Sequence, residues 1–247
     1  MKKRCVVAAA LCLALLSYGT SSCTSKSENA STQTNQTSVS SESNPLSALK
    51  EGNERFCSGL LSHNHQDINR IKELTEGQHP KAVIITCSDS RVPPEIIFDQ
   101  GLGDIFTIRT AGNVMSDYEE GSVEYAAEHL HTKLIVVMGH ESCGAVTAML
   151  EHSDKLLQKE NSEEGNHDEC DHITSIIQAL ENEEEAKEAL KETENRCSAM
   201  VHANVIHGVK QLRNSKPILS KLHEDKEIQI VGAVYHLDSG RVEFLDI

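Results

Sequence analysis

Four short runs, residues 82–86, 105–108, 134–138 and 228–234, are apolar and rich in β-branched side chains, and none alternates with polar residues. A strand facing water on one side alternates with period two, so these four read as strands covered on both faces. Stretches with helical spacing lie among them, at 122–130, 145–150, 173–190 and 199–213. Strand and helix in alternation predict an α/β fold, a mostly parallel central sheet flanked by helices. Residues 242–245 add an antiparallel edge.

The chain ahead of this pattern has a different character. Lys2, Lys3 and Arg4 precede an apolar run over 5–16, then small and polar residues lead to Cys23. That is the layout of a signal peptide over 1–22, with an apolar run too short to span a bilayer. Cys23, after Thr20-Ser21-Ser22, resembles the lipid-modified cysteine of bacterial lipoproteins, although Thr20 stands where that pattern has Leu. Residues 23–44 are mostly Ser, Thr, Asn and Gln and cannot offset their ordering entropy by burial, so they read as a flexible tether. The folded domain is 45–247. It opens with Ser43-Asn44-Pro45 and then Leu46, Leu49 and Phe56, a capped helix with Pro at its first position, ending near Gly59. The expected location is exported, in the periplasm or cell envelope, held by a lipid on Cys23.

The formal charge is -15, and residues 151–196 hold fifteen acids against five bases. Nucleic acid is excluded as a natural partner. Within that segment the acids at 181–194 read as the exposed face of a helix, and His167-Asp168-Glu169-Cys170-Asp171-His172 reads as a solvated loop ahead of the alternative, a metal chelator.

Chemistry concentrates in two segments. Cys87-Ser88-Asp89-Ser90-Arg91 follows the first strand, and Gly139-His140-Glu141-Ser142-Cys143-Gly144-Ala145 follows the third. Zinc takes nitrogen and sulfur ligands in a tetrahedron, and catalytic sites leave one corner for water or substrate. Cys87, His140 and Cys143 fill the other three corners. His140 and Cys143 have the spacing of one helical turn, and Cys87 arrives from a separate strand, so closure of the fold assembles the site. Both segments lie at carboxyl ends of strands, where open α/β sheets place their ligand crevices. Of the other cysteines in the domain, Cys57, Cys170 and Cys197, at most Cys170 and Cys197 would pair, and free thiols are the plainer reading. A cysteine phosphatase is disfavoured, because three residues between Cys87 and Arg91 make too short a loop to cradle an oxyanion.

Taken together, Cys87-x-Asp89-x-Arg91, Arg109-Thr110-Ala111-Gly112-Asn113 and Gly139 to Ala145 closely resemble the β-class carbonic anhydrases. Gly52-Asn53-x-x-Phe56, Asn204-Val205, Leu212-Arg213, Gly232-Ala233-x-Tyr235 and Gly240-x-Val242-x-Phe244-Leu245 extend the likeness across the domain. The resemblance implies one zinc ion per subunit on Cys87, His140 and Cys143, and hydration of CO2 to bicarbonate and a proton through zinc-bound hydroxide. It implies that Asp89 and Arg91 are catalytic, Asp89 orienting the nucleophile and serving as a fourth zinc ligand in a closed state. It also implies a homodimer or homotetramer, with the N-terminal helix packed on a partner subunit. Two thiolates cancel the ion's charge, so activity should rise toward alkaline pH. Two alternatives keep the residues but change the role: a zinc hydrolase acting on COS or CS2, and a non-catalytic zinc-binding lipoprotein. His129, His131, His202 and His207 are candidates for carrying protons away.

Overall fold

The computed structural model describes residues 44–159, 172–192 and 194–247, all within the unit Glu42–Ile247. The signal peptide, the tether with Cys23, and Cys170 with most of its His-rich loop lie outside the described residues.

Five strands, β1 (Ala82–Cys87), β2 (Ile105–Thr110), β3 (Leu134–His140), β4 (Gln229–Tyr235) and β5 (Val242–Leu245), form one sheet in the order β2-β1-β3-β4-β5. The first four are parallel and β5 runs antiparallel to β4. The four parallel strands fall on the expected apolar runs and continue one or two residues further, which carries β1 and β3 into the two chemical segments. The helices are α1 (Pro45–Cys57), α2 (Ile68–Glu73), α3 (Pro94–Ile97), α4 (Asp117–Glu128), α5 (Gly144–Lys159), α6 (His172–Glu181), α7 (Glu184–Ala189), α8 (Arg196–Asn214) and α9 (Leu219–Glu224).

Both faces of the sheet are covered, which is why the strands do not alternate. Ala82 and Ile84 join Leu134, Val136 and Met138 in a core with Val146 and Met149 of α5 and Met200, Val201 and Val205 of α8. Val83 and Ile85 join Ile135 and Val137 on the other face, with Val123 and Ala126 of α4, Val209 and Leu212 of α8, and Leu219 of α9. Each fully buried Val or Ile contributes about 1.5–3 kcal/mol, so the central strands are the firmest part of the molecule.

The single helix expected over 173–190 is two helices, α6 and α7, broken at Asn182-Glu183. Glu183 has extended backbone (ψ 133) and is only 3% exposed, so it does not belong to the solvated acidic face predicted for 181–194. The chain turns there to carry this one carboxyl inward.

The first helix forms as its cap predicts, with Asn44 accepting a hydrogen bond from the Leu46 amide at 3.0 Å and Pro45 at its first position. Gly52 faces α3 so closely that a Cβ would lie 1.8 Å from the Phe98 carbonyl oxygen. Asn53 donates to the carbonyls of Ile97 (3.2 Å) and Gly240 (2.8 Å) and accepts from Val242 N–H (2.9 Å). These contacts tie α1 to α3 and to the start of β5.

Candidate metal centre

β1 and β3 are neighbours in the sheet, in register Thr86 to Met138, so Cys87 and His140 emerge side by side at the carboxyl ends of adjacent strands. His140 is the last residue of β3 and fully buried. Cys143 does not share a helix with it, as the spacing alone suggested. A turn through Glu141 and Ser142, with Ser142 at φ 53, reverses the chain, and Cys143 sits immediately ahead of α5. The ligand atoms of Cys87, His140 and Cys143 all lie within 4.8 Å of one another.

These residues fit a zinc ion. The two sulfurs are 4.0 Å apart, and two Zn–S bonds of about 2.3 Å at a tetrahedral angle require about 3.8 Å. His140 Nδ1 is 2.9 Å from the Glu141 carbonyl, which accepts only, so Nδ1 carries the proton and the Nε2 lone pair is free. Nε2 is buried with no hydrogen-bond partner among the described residues. A buried, unpaired imidazole nitrogen aimed at two sulfurs is what a metal ligand looks like when its partner is removed.

The sulfurs behave electrically as one pair. Cys87 is held well below the usual thiol range, first by the hydrogen bond from Cys143 and further by His140 and the N–H groups of Asp89 and Gly112, all against the cost of burial. Cys143 is pushed up, first by its hydrogen bond to Cys87 and then by burial, although the N–H groups of Val146 and Ala145 at the start of α5 offset part of this. Two buried thiolates this close ionise together only around a cation.

Asp89 is held on both oxygens by Arg91: Oδ1 accepts from Nε (3.0 Å) and from the backbone N–H (2.9 Å), and Oδ2 from Nη2 (2.7 Å). The Arg91 guanidinium therefore keeps the carboxyl well below the usual carboxylate range, with His140 adding to the effect. Asp89 Oδ2 stands 3.9 Å from His140 Nε2, yet Asp89 is outside the three-donor group. The arrangement brings together three candidate metal donors with an ionised carboxylate beside them.

Two holding interactions show only once the strands are paired. Arg109 donates through Nε to the Cys87 carbonyl (3.0 Å) and through Nη2 to the Asp89 carbonyl. Gly112 N–H points at Cys87 Sγ (3.3 Å), a position reached because Gly112 takes φ 67 in a short 3₁₀ turn, Ala111–Asn113. The run 109–113 was visible as a motif, but which atoms its members hold depends on the pairing of β1 with β2. None of the four candidate histidines enters the site: His202 bonds the Ser198 carbonyl, His207 pairs with Glu185, and His129 packs on Tyr125; His131 is exposed. Cys57 and Cys197 are free thiols.

A family profile for carbonic anhydrase matches residues 82–242. The carbonic anhydrase of Mycolicibacterium smegmatis is 42% identical over 204 residues, which is 81% of this chain and 93% of the relative. Among solved structures, the β-carbonic anhydrase CcaA has a TM-score of 0.60 at 27% identity, covering 81% of this chain and 95% of its own. A Coccomyxa β-carbonic anhydrase, solved in complex with acetazolamide, has a TM-score of 0.57 at 26% identity, covering 81% and 86%.

Proposed function

The chain belongs to the β-class carbonic anhydrases, zinc enzymes that interconvert CO2 with bicarbonate and a proton, and within that activity we propose that Cys87, His140 and Cys143 hold the zinc while Asp89 and Arg91 govern the reacting geometry. The observation that carries the assignment is the buried, unpartnered His140 Nε2 beside two sulfurs 4.0 Å apart. Zinc bound there would supply a Lewis acid that lowers the pKa of water well below its bulk value of about 16, though less far than with three neutral histidines, because two thiolates cancel its charge.

The rest of the mechanism lies in this chain's own groups. Asp89, ionised through the physiological range, accepts a hydrogen bond from the attacking water and turns an oxygen lone pair toward the substrate carbon. Arg91 fixes the carboxylate by its two-pronged contact and reaches the Ser142 carbonyl at 3.3 Å, joining the two chemical segments. The N–H groups of Gly112, Asp89, Ala145 and Val146 spread the negative charge of the thiolates. A three-atom substrate needs no large cavity, and a groove of about 720 Å³ lined by Lys133, Gln229 and Arg213 lies at the opposite, amino end of the strands.

We extend the proposal to assembly and location. β2 is one of the two edge strands, the other being β5, and has no strand partner on its far edge among the described residues. Phe106 and Tyr125 lie there with ring centres 6.5 Å apart, and Tyr118 is 86% exposed. An edge strand with aromatic cover supports a homodimer through β2, in which α1 also packs on the partner subunit. Lys2 to Leu16 and Cys23 support export and lipid anchoring.

Stopped-flow CO2 hydration with zinc counted in the same sample tests the assignment. Asp89→Ala is expected to lose most activity with zinc retained, and Cys143→Ala to lose zinc; an active Asp89→Ala enzyme would sink the proposed role. Phe106→Glu should yield monomers in sedimentation, and Cys23→Ser should release the protein from membranes of the expressing cell.

A further inference from the structure

A second set of buried polar atoms lies behind the metal centre. Asn113 and Glu183 are each 3% exposed, and Asn113 Nδ2 and Glu183 Oε2 are buried with no hydrogen-bond partner among the described residues. Both residues line one cavity of about 80 Å³, with Asn204, His207 and Gln211 around it. Buried polar groups are almost always hydrogen-bonded, so two unpaired ones in a single cavity call for a common partner. The space has room for two waters at about 30 Å³ each, enough for a bridge that accepts from the Asn113 amide and donates to the Glu183 carboxyl.

One end of this bridge reaches the metal ligands. Asn113, at φ 46, continues the turn begun by Gly112 at φ 67. Gly112 gives its N–H to Cys87 Sγ and takes the Asn204 side-chain N–H on its carbonyl at 2.8 Å.

At the other end, among the described residues, no cation pairs with Glu183. Glu185 on α7 is the charged group that acts on it, and on α8 both His207, which lines the cavity, and Lys210 are engaged by Glu185 at 2.9 and 2.7 Å. From α6, Glu181 turns to His152 of α5 at 2.9 Å. From α4, Glu120 takes the Gln211 amide at 2.7 Å, and the turn over 111–116 brings no titratable group. Burial first, and the charge of Glu185 second, push Glu183 up to about 8, so it is a neutral acid at neutral pH.

We propose that Glu183 is a positioning residue for the metal centre: as a neutral carboxylic acid joined through cavity water to Asn113, it holds the Gly112–Asn113 turn whose N–H caps the Cys87 thiolate. The proposal rests on Cys87 being a zinc ligand. Ionisation of Glu183 places an unpaired charge in the cavity and loosens the turn.

The test is zinc transfer from the loaded full chain to a chromophoric chelator at about pH 7 and about pH 9, for wild type, Glu183→Gln and Glu183→Ala. Glu183→Gln keeps the shape and stays neutral, so it should match wild type at the lower pH and lose zinc about tenfold more slowly at the higher one, the lower end of what partners of metal ligands contribute. Glu183→Ala should lose zinc faster than wild type at both. Coincident profiles for wild type and Glu183→Gln, or wild-type behaviour in Glu183→Ala, would overturn the role. A wild-type chain that takes up no zinc would overturn the ligand assignment and this role with it. Should Glu183→Gln fail to fold, infrared spectra of the wild type carry the test: a protonated carboxylic acid band that titrates away near pH 8 is expected, and its absence at neutral pH overturns the proposal.

Discussion

Arg109→Met keeps much of the side chain's bulk and removes its guanidinium. In the native protein that group bonds the carbonyls on either side of Ser88, at Cys87 and Asp89. A hydrogen bond from a charged donor contributes about 1.5–3 kcal/mol, so the pair gives about 3–6 kcal/mol gross. Water can reach a partly buried site of this kind and replace some of it, which leaves about 3 kcal/mol. Because the two carbonyls belong to the loop that aims Asp89, the loss should fall on the transition state, at about 10²-fold in kcat/KM. Stopped-flow hydration with zinc counted in the same sample reads this directly. Arg109→Lys, with one ammonium for two carbonyls, should recover part of the rate. An Arg109→Met enzyme within about threefold of wild type at full zinc occupancy would refute the reasoning. Complete loss of zinc would instead show that Arg109 acts through Cys87.

Gly112→Ala puts a Cβ 2.9 Å from that of Ala145 at a residue with φ 67; left-handed strain and crowding together should cost about 2–4 kcal/mol, seen as a lower urea midpoint. Asn53→Ala leaves the Val242 N–H and the carbonyls of Ile97 and Gly240 without their partner, and should cost about 2–3 kcal/mol with earlier hydrogen exchange in α1; unchanged exchange there would show that α1 is held by other means. For Glu183 the folded pKa, about 8, lies above its ordinary value of 4.5. Its effect on stability is therefore fully favourable below pH 4.5 and is lost as pH rises to about 8, by at most about 5 kcal/mol. Glu183→Gln should flatten the fall in unfolding free energy over that window, and an unaltered slope would show that the carboxyl titrates normally.

The strands were legible because an apolar run without alternation has one physical meaning, burial on both faces, and β1 and β3 are buried along their whole length. The three metal donors were legible for a related reason: Cys87 and His140 stand where two such strands end. The break between α6 and α7 was not legible. Glu183 is an unremarkable acid among acids until the Gly112–Asn113 turn and α8 build a cavity around it, and nothing within 181–194 announces that enclosure. Arg109 was hidden likewise, since its acceptors are backbone carbonyls two strands' worth of sequence away and carry no side-chain signature. Helices α2, α3 and α9 are six residues or fewer, too short for a period to declare itself.

The parallel pairing of β1 with β3 also makes the metal site a gauge of alignment. A slip of one residue between these strands would shift a donor by about 3.3 Å and turn its side chain to the other face of the sheet. Bonds of about 2.0–2.3 Å to one ion do not tolerate such a displacement. With the proposed ligands, zinc would be held by chains threaded in the correct register and refused by misaligned ones, so the zinc content of a preparation would set a lower bound on its properly folded molecules.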